Sequence, residues 1–253
     1  MRPADDLPTL DDLRTRSMII RAIGFDADDT LWHNENIFSL THEKYRALLS
    51  AYAGPADVEP RLYATEMKNL RHFGYGIKGF TLSMIETAIE LTGGRITARE
   101  IQTIIDFAHE MREQPVQLLE GAAETVRALA ASRPLLLITK GDLFDQESKI
   151  AQSGLAEHFR HVEILSEKDE EAYRRVLVRH GIAAHQFLMV GNSFRSDILP
   201  VVALGGVGVH VPYHLTWAHE REGEERVADT PGVFRAERID ELPGILARLE
   251  AGG

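Results

Sequence analysis

No cysteine occurs among the 253 residues, which excludes disulfides, thiolate catalysis and zinc–thiolate sites. Long apolar runs are missing as well. The longest, such as Pro134–Ile138, are far too short to span a bilayer, so no membrane association is expected. Basic side chains are outnumbered: 28 Lys and Arg stand against 39 Asp and Glu, a formal net charge of −11. That balance argues against nucleic acid as the main partner. Residues 1–17 are polar and acidic and carry no apolar signal-peptide core. We read them as a polar leader and take a cytoplasmic location as the default expectation. With 44% hydrophobic and 26% charged residues, the rest has the make-up of a soluble globular protein long enough to bury a sizeable core.

Two textures alternate along the chain. Met18 to Phe25 reads as a short apolar strand ending in the acidic run Asp26-Ala27-Asp28-Asp29. From about Ile37 to Arg112 the apolar residues fall at helical spacing: Leu40, Tyr45, Leu48 and Leu49, then Leu62, Met67 and Leu70, then Leu82–Leu91 and Ile101–Met111. Thr97 and Glu100 have the spacing of a capping box. Gly74-Tyr75-Gly76 and Gly93-Gly94 supply turns. The Leu and Ile positions at helical spacing are expected to be core.

From Gly121 the pattern changes. Apolar strands at Pro134–Ile138, Val162–Leu165, Phe187–Val190 and Gly206–Val211 alternate with helical stretches at Glu124–Ala131, Leu143–Ser153, Glu171–His180 and Ile198–Leu204. Continuous apolar strands alternating with amphipathic helices point to a parallel sheet covered on both faces. The expected architecture is α/β, with residues 18–34 and 115–253 as the core and 35–114 as an all-helical insertion after the first strand.

In an open parallel sheet, ligands bind beyond the carboxyl ends of the strands. The residues just past each expected strand are therefore the candidates. They are Asp26, Asp28 and Thr30; Thr139 and Lys140; Ser166 and Lys168; and Asn192, Ser193 and Asp197. Each type has a task in phosphoryl transfer. A carboxylate can attack and form an acyl phosphate. A second, two residues on, can protonate the leaving oxygen and later activate water. Anionic groups beside a phosphate need a cation, and magnesium prefers oxygen ligands. Lysine offsets charge, while hydroxyl and backbone N–H groups hold the equatorial oxygens. With a net charge of −11, a bound divalent cation and local basic residues must reverse the field inside such a pocket.

These residues resemble the motifs of the haloacid dehalogenase (HAD) superfamily. Its Asp-x-Asp-x-Thr after an apolar strand stands here as Phe25-Asp26-Ala27-Asp28-Asp29-Thr30. Its strand closing on Ser or Thr is Leu135–Thr139, its lysine near a helix start is Lys168, and its last acidic pair is Val190-Gly191-Asn192-Ser193 through Asp197. The resemblance covers roughly Ile19 to Val211, in family order, with a helical insertion where the type 1 cap subclass carries its cap. It implies a Rossmann-like core and a magnesium-dependent phosphatase acting on a small phosphorylated metabolite. Asp26 would be nucleophile and metal ligand. Asp28 would be general acid/base, with its carbonyl also on the metal. Thr139 and Lys168, with Lys140, would hold the phosphoryl group. The family usually has Asp where this chain has Asn192, so metal affinity is expected to be lower, and whether Asn192 or Asp197 is the direct ligand stays open.

Three other readings use the same residues: phosphoryl transfer as in a sugar phosphomutase, a non-catalytic domain that kept the fold, and dehalogenation at carbon. The last needs neither metal nor an acid to protonate a halide, so Asp28 speaks against it. Around the site, His33 and Glu35 are candidates to reach back toward the pocket, against the plainer reading of Trp32–Glu35 as a packed linker. Arg71, His72, Tyr75 and Lys78 are candidate contacts for a leaving group. Tyr213, His214, Trp217 and His219 suit a pocket wall or an interface, and helical caps and exposed aromatic loops can both support a homodimer.

Overall fold

In a computed structural model, which describes residues 19–215, 217–220 and 230–252, apolar runs become strands and amphipathic stretches become helices. The leader and Met18 lie outside the described residues. The first strand, β1, is Ala22–Phe25, shorter at its start than the apolar run. The ladders begin with Ala22 opposite Phe187 and Ile23 opposite Leu135, so Ile19 has no strand partner and is 65% exposed. Four helices follow: α1 (Glu35–Leu49), α2 (Pro55–Phe73), α3 (Ile77–Leu91) and α4 (Ala98–Glu113). The second half alternates: α5 (Ala122–Ala130), β2 (Leu135–Lys140), α6 (Leu143–Gln152), β3 (His161–Leu165), α7 (Glu170–Arg179), β4 (Phe187–Gly191), α8 (Leu199–Ala203), β5 (Val207–His210), β6 (Val233–Arg235) and α9 (Leu242–Ala251). Before α8 runs a single π-helical turn, Phe194–Ile198.

The six strands form one sheet in the order β3-β2-β1-β4-β5-β6, and β1 is parallel to both β2 and β4. Strand order reverses around β1, the arrangement in which an α/β sheet opens a crevice at its carboxyl edge. The central strands are buried on both faces, which is why they read as unbroken apolar runs. One core cluster joins Ala22, Leu136 and Ile138 of the sheet to Tyr173, Val176 and Leu177 of α7. Each side chain of this size contributes about 1.5–3 kcal/mol when fully buried. Gly24 lies under this packing. A Cβ there would come within 2.5 Å of Phe187 and 2.8 Å of Met189.

Contacts divide the chain into two units. One comprises the residues through His33, Gln117–Thr139 and Ser153 onward; the other is Asn34–Val116 with Lys140–Gln152. The second is built on α1–α4, with Tyr45, Leu49, Val58, Leu62, Phe80, Met84 and Ile104 in its core. The capping box at the start of α4 is formed in full: Thr97 accepts from Glu100 N–H, and Glu100 accepts from Thr97 N–H. Lys140–Gln152 joins this unit through Lys78–Asp142 at 2.9 Å and the Arg112 guanidinium 4.5 Å from the Phe144 ring centre.

Not every apolar position at helical spacing is core. The buried face of α1 is Thr41, Tyr45 and Leu49, so Leu40 falls beside it and is 51% exposed. Leu82 and Ile89 on α3 are likewise exposed. Among the described residues, no helix is long and apolar enough to cross a membrane.

Candidate active site

The register that places Phe25 opposite Leu137 and Val190 sets the ends of β1, β2 and β4 side by side. Asp26 follows β1, and its N–H donates to Val190 O over 2.9 Å. The chain then turns tightly: the N–H groups of Thr30 and Leu31 both donate to Ala27 O. This turn needs Asp29 in the left-handed region, φ 60°, which Asp tolerates better than most residues. The turn aims the Thr30 hydroxyl at Asp26 Oδ2, 2.9 Å away, with Asn192 Oδ1 at 3.3 Å. Thr30 Oγ1 in turn accepts from Asn192 N–H at 3.0 Å.

Lys168, fully buried in the loop before α7, is the bridge of the site. Its ammonium donates to Asp26 Oδ1 and, over 2.7 Å, to Asp197 Oδ1. The other Asp197 oxygen accepts Ser193 N–H at 3.0 Å. Gly191 lets this carboxylate approach, since a Cβ on it would sit 2.2 Å from Asp197 Oδ2. The loop before α7 is fixed by Asp169, which caps the helix by accepting from Ala172 N–H at 2.7 Å.

One ammonium cannot neutralise this cluster. Burial, followed by the charge of Asp197, pushes the Asp26 carboxyl up to about 7, against the pull of Lys168; Asp28 adds a smaller push. Burial alone would lower the Lys168 pKa, but Asp197 and Asp26 outweigh it and hold the ammonium charged, well above its usual range. Tyr173 is buried beside them. Burial, then Asp197 and Asp26, raises its hydroxyl well above the usual phenol range, against Lys168. Removing Lys168 would leave two buried carboxylates unpaired, a loss on the order of 3–5 kcal/mol.

Asp26, Lys168, Asn192 and Asp197 are thus brought together, with Asp28 near enough to act on Asp26 electrostatically. Thr139 is buried at the end of β2, two residues beyond the one paired with Phe25. Lys140 belongs instead to the helical unit, where its ammonium lies 4.2 Å from the Tyr75 ring centre and its carbonyl accepts from Gln146. Arg71 and His72 are exposed. Among the described residues, no three His, Asp or Glu side chains are grouped to hold a metal ion. The oxygen donors near Asp26 include the Asn192 amide as well as the Asp197 carboxylate.

Four supporting residues escaped the reading of strand ends. Trp32 Nε1 donates to Asp28 Oδ1 over 2.7 Å. His210, at the end of β5, is bonded through Nε2 to Asn192 O at 2.9 Å. Glu220 Oε2 accepts from Ser193 Oγ at 2.5 Å and Ser196 Oγ at 2.6 Å. His33, a candidate to reach the pocket, pairs through Nδ1 with the Tyr213 hydroxyl at 2.6 Å. Of these, His33 stands among the sequence candidates, and Trp32 carries a signal of its own: a donor four residues after a carboxylate within one turn.

The pattern of the haloacid dehalogenase-like hydrolases matches residues 20–205. A haloacid dehalogenase-like family hydrolase from Xanthomonas campestris is 44% identical over 92% of this chain and 93% of its own, with a TM-score of 0.83. A HAD phosphatase from Thermococcus onnurineus is 15% identical over 90% of this chain and 98% of its own, TM-score 0.58. An L-2-haloacid dehalogenase from Xanthobacter autotrophicus is 16% identical over 90% and 99%, TM-score 0.62. These last two share the fold alone. Among curated proteins, none matches the chain. The match over residues 20–205 and the 44% identity agree with the side chains gathered at the sheet edge: the chain belongs to the haloacid dehalogenase-like hydrolase family.

Proposed function

We propose that this hydrolase cleaves a small phosphomonoester by attack of Asp26 on phosphorus. The observation that carries the reading is the second carboxylate. Asp28 lies close enough to Asp26 to raise its pKa, and its own carboxylate is held by Trp32. An ester's leaving alkoxide must be protonated, whereas a halide leaves as a stable anion; an acid at this position suits the first and is idle in the second.

Asp26 forms the new P–O bond as the ester oxygen departs, and Asp28 gives that oxygen a proton. The product at this stage is an alcohol and an acyl phosphate on Asp26. Asp28, now ionised, takes a proton from water, which attacks phosphorus and releases inorganic phosphate with Asp26 regenerated. The Lys168 ammonium and the Thr139 hydroxyl hold the equatorial oxygens.

The donor chemistry suits a divalent cation. Asp26, Asp28 and Asp197 together carry two more negative charges than the Lys168 ammonium offsets, and burial, followed by Asp197, already pushes the Asp26 carboxyl up. Asp26, the Asp28 carbonyl and the Asn192 amide would hold magnesium, which when bound neutralises charge on the phosphoryl group. Both Asp197 oxygens are already engaged, by Lys168 and by Ser193 N–H. Asn192 Oδ1 shares the Thr30 hydroxyl with Asp26 Oδ2, whereas Asp197 meets Asp26 through the Lys168 ammonium; on that ground we assign direct ligation to Asn192, with Asp197 as the anchor of Lys168.

Phosphate release from a panel of small phosphomonoesters, with and without magnesium, tests this. Turnover is expected only with magnesium and is expected to vanish in Asp26→Asn, which keeps the shape and removes the charge. Turnover that survives in Asp26→Asn would contradict it.

A further inference from the structure

Trp32 is fully buried, and a buried indole N–H needs an acceptor. It finds Asp28 Oδ1 at 2.7 Å. The backbone that carries the ring is held as well. Trp32 O accepts from Asp29 N–H at 2.7 Å, inside the turn that carries Asp28. On either side, Leu119 N–H donates to Leu31 O at 2.9 Å, and His33 N–H donates to Gln117 O at 3.0 Å. Trp32 itself bridges to Leu118. The segments that leave β1 and return toward α5 thus pair with each other and fix the indole, which fixes one oxygen of Asp28.

The choice of side chain matters. An indole N–H donates and never accepts, and it does not ionise in the working pH range. It can therefore hold one oxygen of Asp28 whether the other carries a proton or not. A lysine or histidine there would compete for the proton that Asp28 has to hand over. A phenylalanine would fill similar space and remove that hydrogen bond.

We propose that Trp32 is the positioning residue of the general acid/base, setting the direction from which Asp28 protonates the leaving oxygen. The proposal rests on the reading of Asp28 as that acid. It predicts a dependence on leaving group that loss of packing alone does not produce. Phenyl phosphate and p-nitrophenyl phosphate differ little in size, but phenol is much the weaker acid, so its departure depends more on protonation.

The experiment compares kcat/KM, which reports the steps through leaving-group departure, for both esters in wild type and Trp32→Phe. The loss on phenyl phosphate is expected to exceed that on p-nitrophenyl phosphate by about tenfold. Equal losses on the two esters would overturn the proposal while leaving the phosphatase reading intact, since wild-type turnover of either ester supports that reading by itself. A second measurement does not depend on activity. The chain has two tryptophans, so Trp217→Phe leaves Trp32 as the source of the single indole N–H resonance. That resonance is expected downfield of a free indole and moved by Asp28→Ala; a resonance unmoved by Asp28→Ala would overturn the contact on which the proposal stands.

Discussion

Exchanging Asn192 for Asp would set another carboxylate against Asp26, whose pKa burial and then Asp197 already push up. Two effects of opposite sign follow. The metal-free protein should lose stability, because one more negative charge faces a single ammonium. Affinity for magnesium should rise by about tenfold, because a charged oxygen replaces a neutral one. Thermal unfolding of wild type and Asn192→Asp across a magnesium titration reads both: a lower transition without metal and a half-effect at lower magnesium. An unchanged half-effect would remove Asn192 from the ligand set. Asp26, Lys168, Asn192 and Asp197 were all legible as strand-end residues, since a parallel sheet delivers its rim by register. His210 and Glu220 were not. One is bonded through Nε2 to a backbone carbonyl and the other accepts two serine hydroxyls, and neither arrangement follows from spacing along the chain.

In helix α2, Glu66 sits mostly away from water. Burial, and then the charge of Glu59, raises its carboxyl to about 8. Its folded pKa lies above the unfolded value of roughly 4.3, so the folded state binds the extra proton. The contribution is complete below the unfolded pKa and is lost as pH rises toward 8. Glu66→Gln should therefore raise the melting temperature at pH 8 and flatten its fall between pH 5 and 8; an unchanged slope would place Glu66 in water. The helices of this unit were readable from period, but their buried faces were not always the most apolar ones. Thr41 is buried where Leu40 is exposed, because the face is set by where Tyr45 and Leu49 pack. Short elements left little trace. Strand β6 has three residues at the sheet edge and no apolar run. The turn before α8 is π-helical, and Ser193 caps it by accepting from Ser196 N–H.

At the scale of the whole chain, a net charge of −11 surrounds a site proposed to take an anion. In the proposed reading, one buried lysine and a divalent cation hold the local field positive there. The α/β class and the place of the helical insertion were legible because both rest on long periodic patterns. The grouping of Lys140–Gln152 with the helices was not, because it depends on contacts such as Lys78–Asp142 across more than sixty residues of chain. The central claim concerns one bond, between Asp26 and phosphorus. Its most direct test is rapid quenching of the protein during turnover of a phosphomonoester with magnesium, followed by peptide mass analysis. A phosphoryl group on the peptide that carries Asp26, absent from Asp26→Asn, is the predicted result; phosphate release with no such adduct at any quench time, and undiminished in Asp26→Asn, would contradict it.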